Sequence, residues 1–221
     1  MNISENILKH SLRNVYFLTG TALAGKTTMS NELSKKHGFI HFNDNWHEEC
    51  FGVYRSICNE RYQPKSTAKK KTTDWEAYFG RTVEEFLAER EGGGEDYECV
   101  EFMLIELIKL SQNRRVVADM GIPIPLLVEI SEPERIACML TSPELLNCKN
   151  YGKRDDHREF LECIMSLNEP EKKIAVQDEL FRIGAEKLFA DVREHGLFSI
   201  VRTNESTVTG TLAMLEEHFG L

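Results

Sequence analysis

Apolar residues in this 221-residue chain gather into five short runs, separated by long stretches of helical periodicity. The runs are VYFLTG (15–20), FIHFND (39–44), RVVADM (115–120), RIACMLT (135–141) and FSIVRT (198–203). Their length and bounding residues predict buried strands. Between them, apolar positions recur every three or four residues. GKTTMSNELSKKHG follows the first run and is closed by Gly38. DWEAYFGRTVEEFLAER predicts one helix with Trp75, Tyr78, Phe79, Val83, Phe86 and Leu87 on a single face. YECVEFMLIELIKL is apolar on most sides and predicts a buried helix, and AVQDELFRIGAEKLFADVREHG and STVTGTLAMLEEHFG supply two more.

Strands alternating with helices predict an α/β layered domain with a mainly parallel sheet and right-handed crossovers. Two connections are longer than a crossover needs: residues 45–114, between the second and third runs, and residues 142–197, between the fourth and fifth. Ligands of open parallel sheets sit beyond the carboxyl ends of the strands, where both insertions begin. The expectation is one domain over residues 1–221, with an acceptor-binding insertion at 45–114 and a lid at 142–175. EGGGED (91–96) breaks the first insertion between two helices.

Where the first run meets the first helix, the chain reads LTGTALAGKTT. Gly20-x4-Gly25-Lys26-Thr27 fits the P-loop pattern, in its required setting of strand, loop and helix. Glycines let the backbone curl so that successive N–H groups face phosphate oxygens. The following helix aims its positive end at the same anion. Gly20, Thr21, Ala22, Leu23, Ala24, Gly25, Lys26, Thr27 and Thr28 form the expected cradle. Lys26 would bridge the β- and γ-phosphates and the Thr27 hydroxyl would hold Mg²⁺. The third run ends Ala118-Asp119-Met120-Gly121, without the Asp-Glu pair of motor ATPases, and no Asn-Lys-x-Asp guanine reader is present. ATP is therefore the expected nucleotide.

On the P-loop, the strand order and the lid position, the chain resembles the P-loop kinases of small molecules and nucleotides. These include shikimate kinase, gluconate kinase, chloramphenicol phosphotransferase and adenylate kinase. The likeness covers most of the layout, and only the P-loop is specific in sequence. It implies a three-layer fold whose five-stranded, mainly parallel sheet has the order 2-3-1-4-5, with helices on both faces and helical insertions. It also implies that Asp44 orients or deprotonates the acceptor hydroxyl. Alternatively, Asn43, Asp44 or Asn45 caps a helix beginning at Trp46, with Glu48 completing a capping box, and the two roles are compatible. The likeness places Asp119 near Mg²⁺ and the transferred phosphoryl; the competing role is a cap for a helix starting near Pro123. In YGKRDDHREFLECI, Arg154 and Arg158 are four apart and share one face of a helix. Adenylate kinase-type lids cover the phosphates with such arginines, though here pairing with Asp155, Asp156 or Glu159 competes. Asn204, Glu205 and Ser206 follow the last run, where similar kinases hold adenine, and Ser206 is equally placed to cap the final helix.

Composition narrows the partners. A net charge of −9 argues against a nucleic-acid ligand, and Lys69-Lys70-Lys71 sits in a polar, loop-like stretch. Six scattered cysteines lack CxxC spacing and read as reduced residues of a cytoplasmic protein. The first residues lack a signal-peptide core, and no apolar run approaches membrane-spanning length. His41 and His47 flank Asp44, but no partner completes a zinc site, so His41 reads as a hydrogen-bonding residue near the pocket. The expected partner is a small-molecule phosphoryl acceptor, neither nucleic acid nor membrane, and the pattern sets no oligomeric state. The leading expectation is a kinase passing the γ-phosphoryl of ATP, with Mg²⁺, to a small-molecule hydroxyl. Trp46, Trp75, Tyr78 and Arg81 are available to line its acceptor pocket. The alternatives are a nucleoside or nucleotide kinase, drawing on Arg55, Arg61, Arg81, Arg90 and Arg114, and an ATP-binding regulatory protein that transfers nothing.

Overall fold

A computed structural model describes residues 5–43, 74–92, 95–154 and 157–221, with the side chains of residues 5 and 90–102 left out. In chain order the elements are α1 (Glu5–Ser11), β1 (Val15–Gly20), α2 (Lys26–His37), β2 (Ile40–Asn43), α3 (Trp75–Phe79), α4 (Val83–Gly92) and α5 (Glu95–Ser111). They continue with β3 (Val116–Asp119), α6 (Ile124–Ile130), β4 (Ile136–Thr141), α7 (Cys148–Tyr151), α8 (Arg158–Met165), α9 (Pro170–Glu194), β5 (Ser199–Arg202) and α10 (Val208–Phe219). All five predicted runs are strands. They form one sheet in the order β2-β3-β1-β4-β5, and every pairing is parallel.

The central strand β1 is apolar on both faces, as its position demands. Val15 and Phe17 turn to a core built with Phe42, Ala118, Ile124, Leu127, Ile136 and Val192, which α1, α5, α6 and α9 cover. Tyr16 and Leu18 turn to the opposite core with Met29, Leu33, Val117, Met139, Leu215 and Phe219, beneath α2 and α10. This is the three-layer P-loop architecture, with the loop after the central strand. All five strands end at the same edge, so the loop, Asp119, Thr141 and Arg202 come together there.

Two expectations about the first insertion change. The single helix predicted over residues 74–90 is two, α3 and α4. Asp74 caps α3 by accepting from the Ala77 N–H. Thr82 then opens a new helix: its N–H donates to Glu85 Oε2 and its hydroxyl accepts from the Glu85 N–H. That reciprocal capping box interrupts the helix although the apolar stripe continues. Over its described side chains, 103–111, α5 is also less buried than expected. Met103, Leu104 and Leu107 enter the core, whereas Ile105 is 54% exposed.

The two insertions pack on each other. Phe79 of α3 joins Cys148, Ile164 and Ile174, with Phe160, Leu161 and Phe181 around them, in a third apolar cluster. At its rim Lys173, only 7% exposed, donates to Glu76 Oε1 at 2.6 Å. The Glu76 carboxyl lies below its ordinary range, chiefly through that Lys173 hydrogen bond and then through the Asn168 N–H. Burial pushes the thiols of Cys138 and Cys148 up to about 12 and about 11. Among the described residues, no helix is long and apolar enough to cross a membrane.

Candidate nucleotide site

The loop between β1 and α2 takes its shape from its residue types. Gly20 has φ +136°, and a Cβ there would lie 1.7 Å from the Met139 carbonyl oxygen, so only glycine lets the loop leave the sheet beside β4. Gly25, at φ +89°, is the N-cap of α2 in the left-handed region. Leu23, φ +63°, holds a left-handed turn without being glycine. Its carbonyl accepts from the Arg202 guanidinium at the end of β5, and the Ala22 carbonyl accepts from the Thr141 hydroxyl at 2.7 Å. The carbonyls of Gly20 and Thr21 accept from Lys26 Nζ at 3.3 and 2.9 Å. Tying these carbonyls down suits a loop whose amides serve an anion. The first turn of α2 carries no acidic side chain and its last turn carries Lys35, Lys36 and His37, so the positive end of the helix dipole faces the loop uncompensated.

The structure joins the two residues expected to serve the metal. Asp119, the last residue of β3, is 5% exposed, and its Oδ2 accepts from the Thr27 hydroxyl at 2.6 Å. Asp119 therefore does not cap α6, whose N-cap is Pro123 without a side-chain bond. Hydroxyl and carboxylate oxygens are hard donors of the kind Mg²⁺ takes, with water and phosphate filling the rest of its shell. Among the described residues, no group of three or more His, Cys, Asp or Glu side chains could hold a metal. His41 stands beside the pair, its Nε2 4.0 Å from Asp119 Oδ2. Burial lowers the pKa of His41 below 6.5, and the nearby Asp119 charge works against that shift.

A cavity of about 550 Å³ opens over the loop, lined by residues 23–28, by Leu145, Asn150, Lys153 and Arg154 from the second insertion, and by Arg202. Lys26, Lys153, Arg154 and Arg202 give it a strongly positive wall in a chain of net charge −9. The expectation that Arg154 and Arg158 share a helical face fails. Arg154 lies in the turn after α7, and α8 starts at Arg158. Gly152 leaves room for this packing: a Cβ there would meet Leu161 Cβ at 2.3 Å, so α8 lies tightly against the end of α7. Arg158 is exposed and is not part of the cavity wall.

Next to this cavity, a smaller one of about 100 Å³ is lined by Gly25, Met29, Ile200, Arg202, Ser206, Thr207 and Thr211, among others. It is where the base-binding loop was expected. Ser206 belongs to its wall and its hydroxyl accepts from the Thr203 N–H, while Asn204 and Glu205 are exposed. The cap of α10 is Thr207, not Ser206.

No family model matches the chain, and no curated protein matches it in sequence. Two solved structures similar to it are shikimate kinases. One, from Bacteroides thetaiotaomicron, shares 15% identity over 94% of this chain and 98% of its own, with a TM-score of 0.48. The other, from Acinetobacter baumannii and in complex with shikimate, shares 18% identity over 93% of each chain, with a TM-score of 0.42. The fold is read from the strand order and the loop, which stand without them.

On the acceptor side, Asp44, Trp46, His47, Arg55 and Arg61 lie outside the described residues, as does the Arg90 side chain. Arg81 is engaged: it pairs with Glu89 at 2.7 Å and lies over the rings of Tyr78 and Phe86. Trp75 and Tyr78 keep 48% and 40% exposure. Arg114 precedes β3 and so sits at the opposite edge of the sheet from the loop. Arg202 and Thr141 are the functional candidates that pattern reading missed. Both close strands, and only the order of the sheet reveals that those ends meet the P-loop.

Proposed function

We propose that this chain is an ATP- and Mg²⁺-dependent phosphotransferase that passes the γ-phosphoryl of ATP to a hydroxyl of a small molecule. One observation carries the reading: the P-loop lysine, two lid cations and Arg202 line a single cavity over the N-terminus of α2. Lys153 and Arg154 face the loop from the opposite side of the cavity. Phosphoryl transfer needs such cations, because its catalysis is positioning plus stabilisation of charge on the moving group.

In this reading the α2 terminus and the loop amides bind the phosphates, and Lys26 Nζ turns from the Gly20 and Thr21 carbonyls towards them. Mg²⁺, held through Thr27 and Asp119, would neutralise phosphate charge. Lys153 and Arg154 reach the γ-phosphoryl from the lid. As the acceptor oxygen bonds to the γ-phosphorus, the bond to the β–γ bridging oxygen breaks and ADP leaves. Asp44 orients the hydroxyl and receives its proton. An Asp with an ordinary pKa of about 3.9 suffices, since little proton transfer is needed in a loose transition state.

A coupled ADP-release screen over small hydroxyl compounds and nucleotides tests this. At least one acceptor should raise ADP release well above background, and Asp44→Ala should abolish that gain. A flat response across the panel, with tight ATP binding retained, would replace transfer with the regulatory role.

A further inference from the structure

His41 lies on β2, and strand alternation turns it, with Asn43, towards α2 while Phe42 enters the opposite core. Its Nδ1 is 3.1 Å from Asn31 Oδ1 on α2, and with an amide oxygen as partner Nδ1 is the nitrogen that carries hydrogen. With the ring hydrogen on Nδ1, Nε2 is left as an acceptor. That atom is closed to solvent, has no hydrogen-bond partner among the described residues, and faces Asp119 Oδ2 across 4.0 Å. The separation is too long for a direct hydrogen bond, and both atoms accept. A group that donates in two directions satisfies both.

A water bound to a divalent cation has this character. Its oxygen is committed to the metal, and both of its hydrogens point outward. Mg²⁺ keeps several of its waters and is held by one or two protein oxygens. Resting on the function proposed above, we infer that His41 Nε2 and Asp119 Oδ2 together receive one water of the hydrated Mg²⁺ at Thr27. His41 is thus a positioning residue for the cation, acting through water. Because Nε2 is closed to solvent, the water arrives with the cation, and the pair opens slightly to admit it. Groups in this outer position orient a metal site nearly as firmly as its ligands do.

Two substitutions separate the ring's nitrogens. His41→Asn keeps a polar group near Nδ1 and the link to Asn31 but removes Nε2. His41→Gln places an amide where Nε2 was. ATP binding followed calorimetrically during a Mg²⁺ titration reads the effect without turnover. The Mg²⁺ concentration giving half of the gain in ATP affinity should rise about tenfold in His41→Asn, and by no more than about threefold in His41→Gln. ATP affinity without Mg²⁺ and the melting temperature should stay as in the wild type for both. The inference falls alone if wild type and His41→Asn respond to Mg²⁺ alike, or if both variants shift together. A wild-type chain that gains nothing from Mg²⁺ would overturn it along with the function on which it rests.

Discussion

Thr27 and Asp119, 92 positions apart in sequence, are joined by a 2.6 Å hydrogen bond between hydroxyl and carboxylate. The pairing of β1 with β3, in which Leu18 lies opposite Asp119, makes the contact possible. It sets two hard oxygens at the mouth of the phosphate loop. Asp119→Asn keeps an oxygen for the Thr27 hydroxyl and removes only the charge. ATP affinity without Mg²⁺ should then hold, while ADP release at limiting Mg²⁺ should fall about 10–100-fold. Thr27→Ser should stay near wild type and Thr27→Ala should match Asp119→Asn. An Asp119→Asn enzyme with unaltered Mg²⁺ dependence would remove Asp119 from the metal site.

Arg154 and Arg158, equivalent by sequence spacing, stand in different surroundings. One lines the cavity over the P-loop and the other is exposed on α8. If Arg154 reaches the transferring group, Arg154→Ala should lower kcat by as much as roughly 10³-fold, with Arg158→Ala changing it little. Comparing kcat for the two single variants on one acceptor decides the matter. Equal losses would mean that both arginines act through the fold of the lid and not at the phosphates.

Much of this arrangement was legible because its signals are local. Each strand is a buried apolar run, and the glycines and lysine of the loop carry its chemistry in order. The features that escaped depend on packing or on distant neighbours. Thr82 and Glu85 form a capping box inside an unbroken apolar stripe, so periodicity alone reads one helix where there are two. Gly152 reads as an ordinary residue, and only the packing shows that Leu161 of α8 presses on it. Arg202 reads as a charged strand end. Its bond to Leu23 is a side-chain contact across the end of the sheet, which the expected strand order does not by itself specify.

The two loop glycines are needed for different reasons, and alanine should tell them apart. At Gly20 a Cβ meets the Met139 carbonyl oxygen at 1.7 Å and its carbon at 2.6 Å, both backbone atoms that cannot swing aside. At Gly25 the nearest atom is the tip of Met139, 4.0 Å away, and only the positive φ opposes a side chain. Gly25→Ala should therefore cost about 1–2 kcal/mol, the usual penalty of a left-handed residue. Gly20→Ala should cost more than about 4 kcal/mol or leave little folded protein. Urea unfolding midpoints of the two variants give the comparison, and similar midpoints would show that the loop yields where the geometry says it is rigid.

The link between the insertions should be sensitive to pH in a defined direction. Glu76 on α3 accepts from Lys173 Nζ and from the Asn168 N–H, which holds its carboxyl below the ordinary value of 4.5. A carboxyl with a lowered folded pKa releases its proton more readily in the folded chain than in the unfolded one. Its contribution to stability is then complete above pH 4.5, and it disappears as the pH falls through the lowered folded value. Glu76→Gln retains the shape and loses the charge opposite the buried Lys173. The variant should be less stable than the wild type by a constant margin between roughly pH 6 and 8. Below pH 4.5 the two curves should converge, since the wild-type carboxyl is then being neutralised as well. Thermal or urea unfolding across that range measures the margin. A margin unchanged down to the acid limit would mean that Glu76 acts through its hydrogen-bond geometry alone and that its charge adds nothing to the contact between α3 and α9.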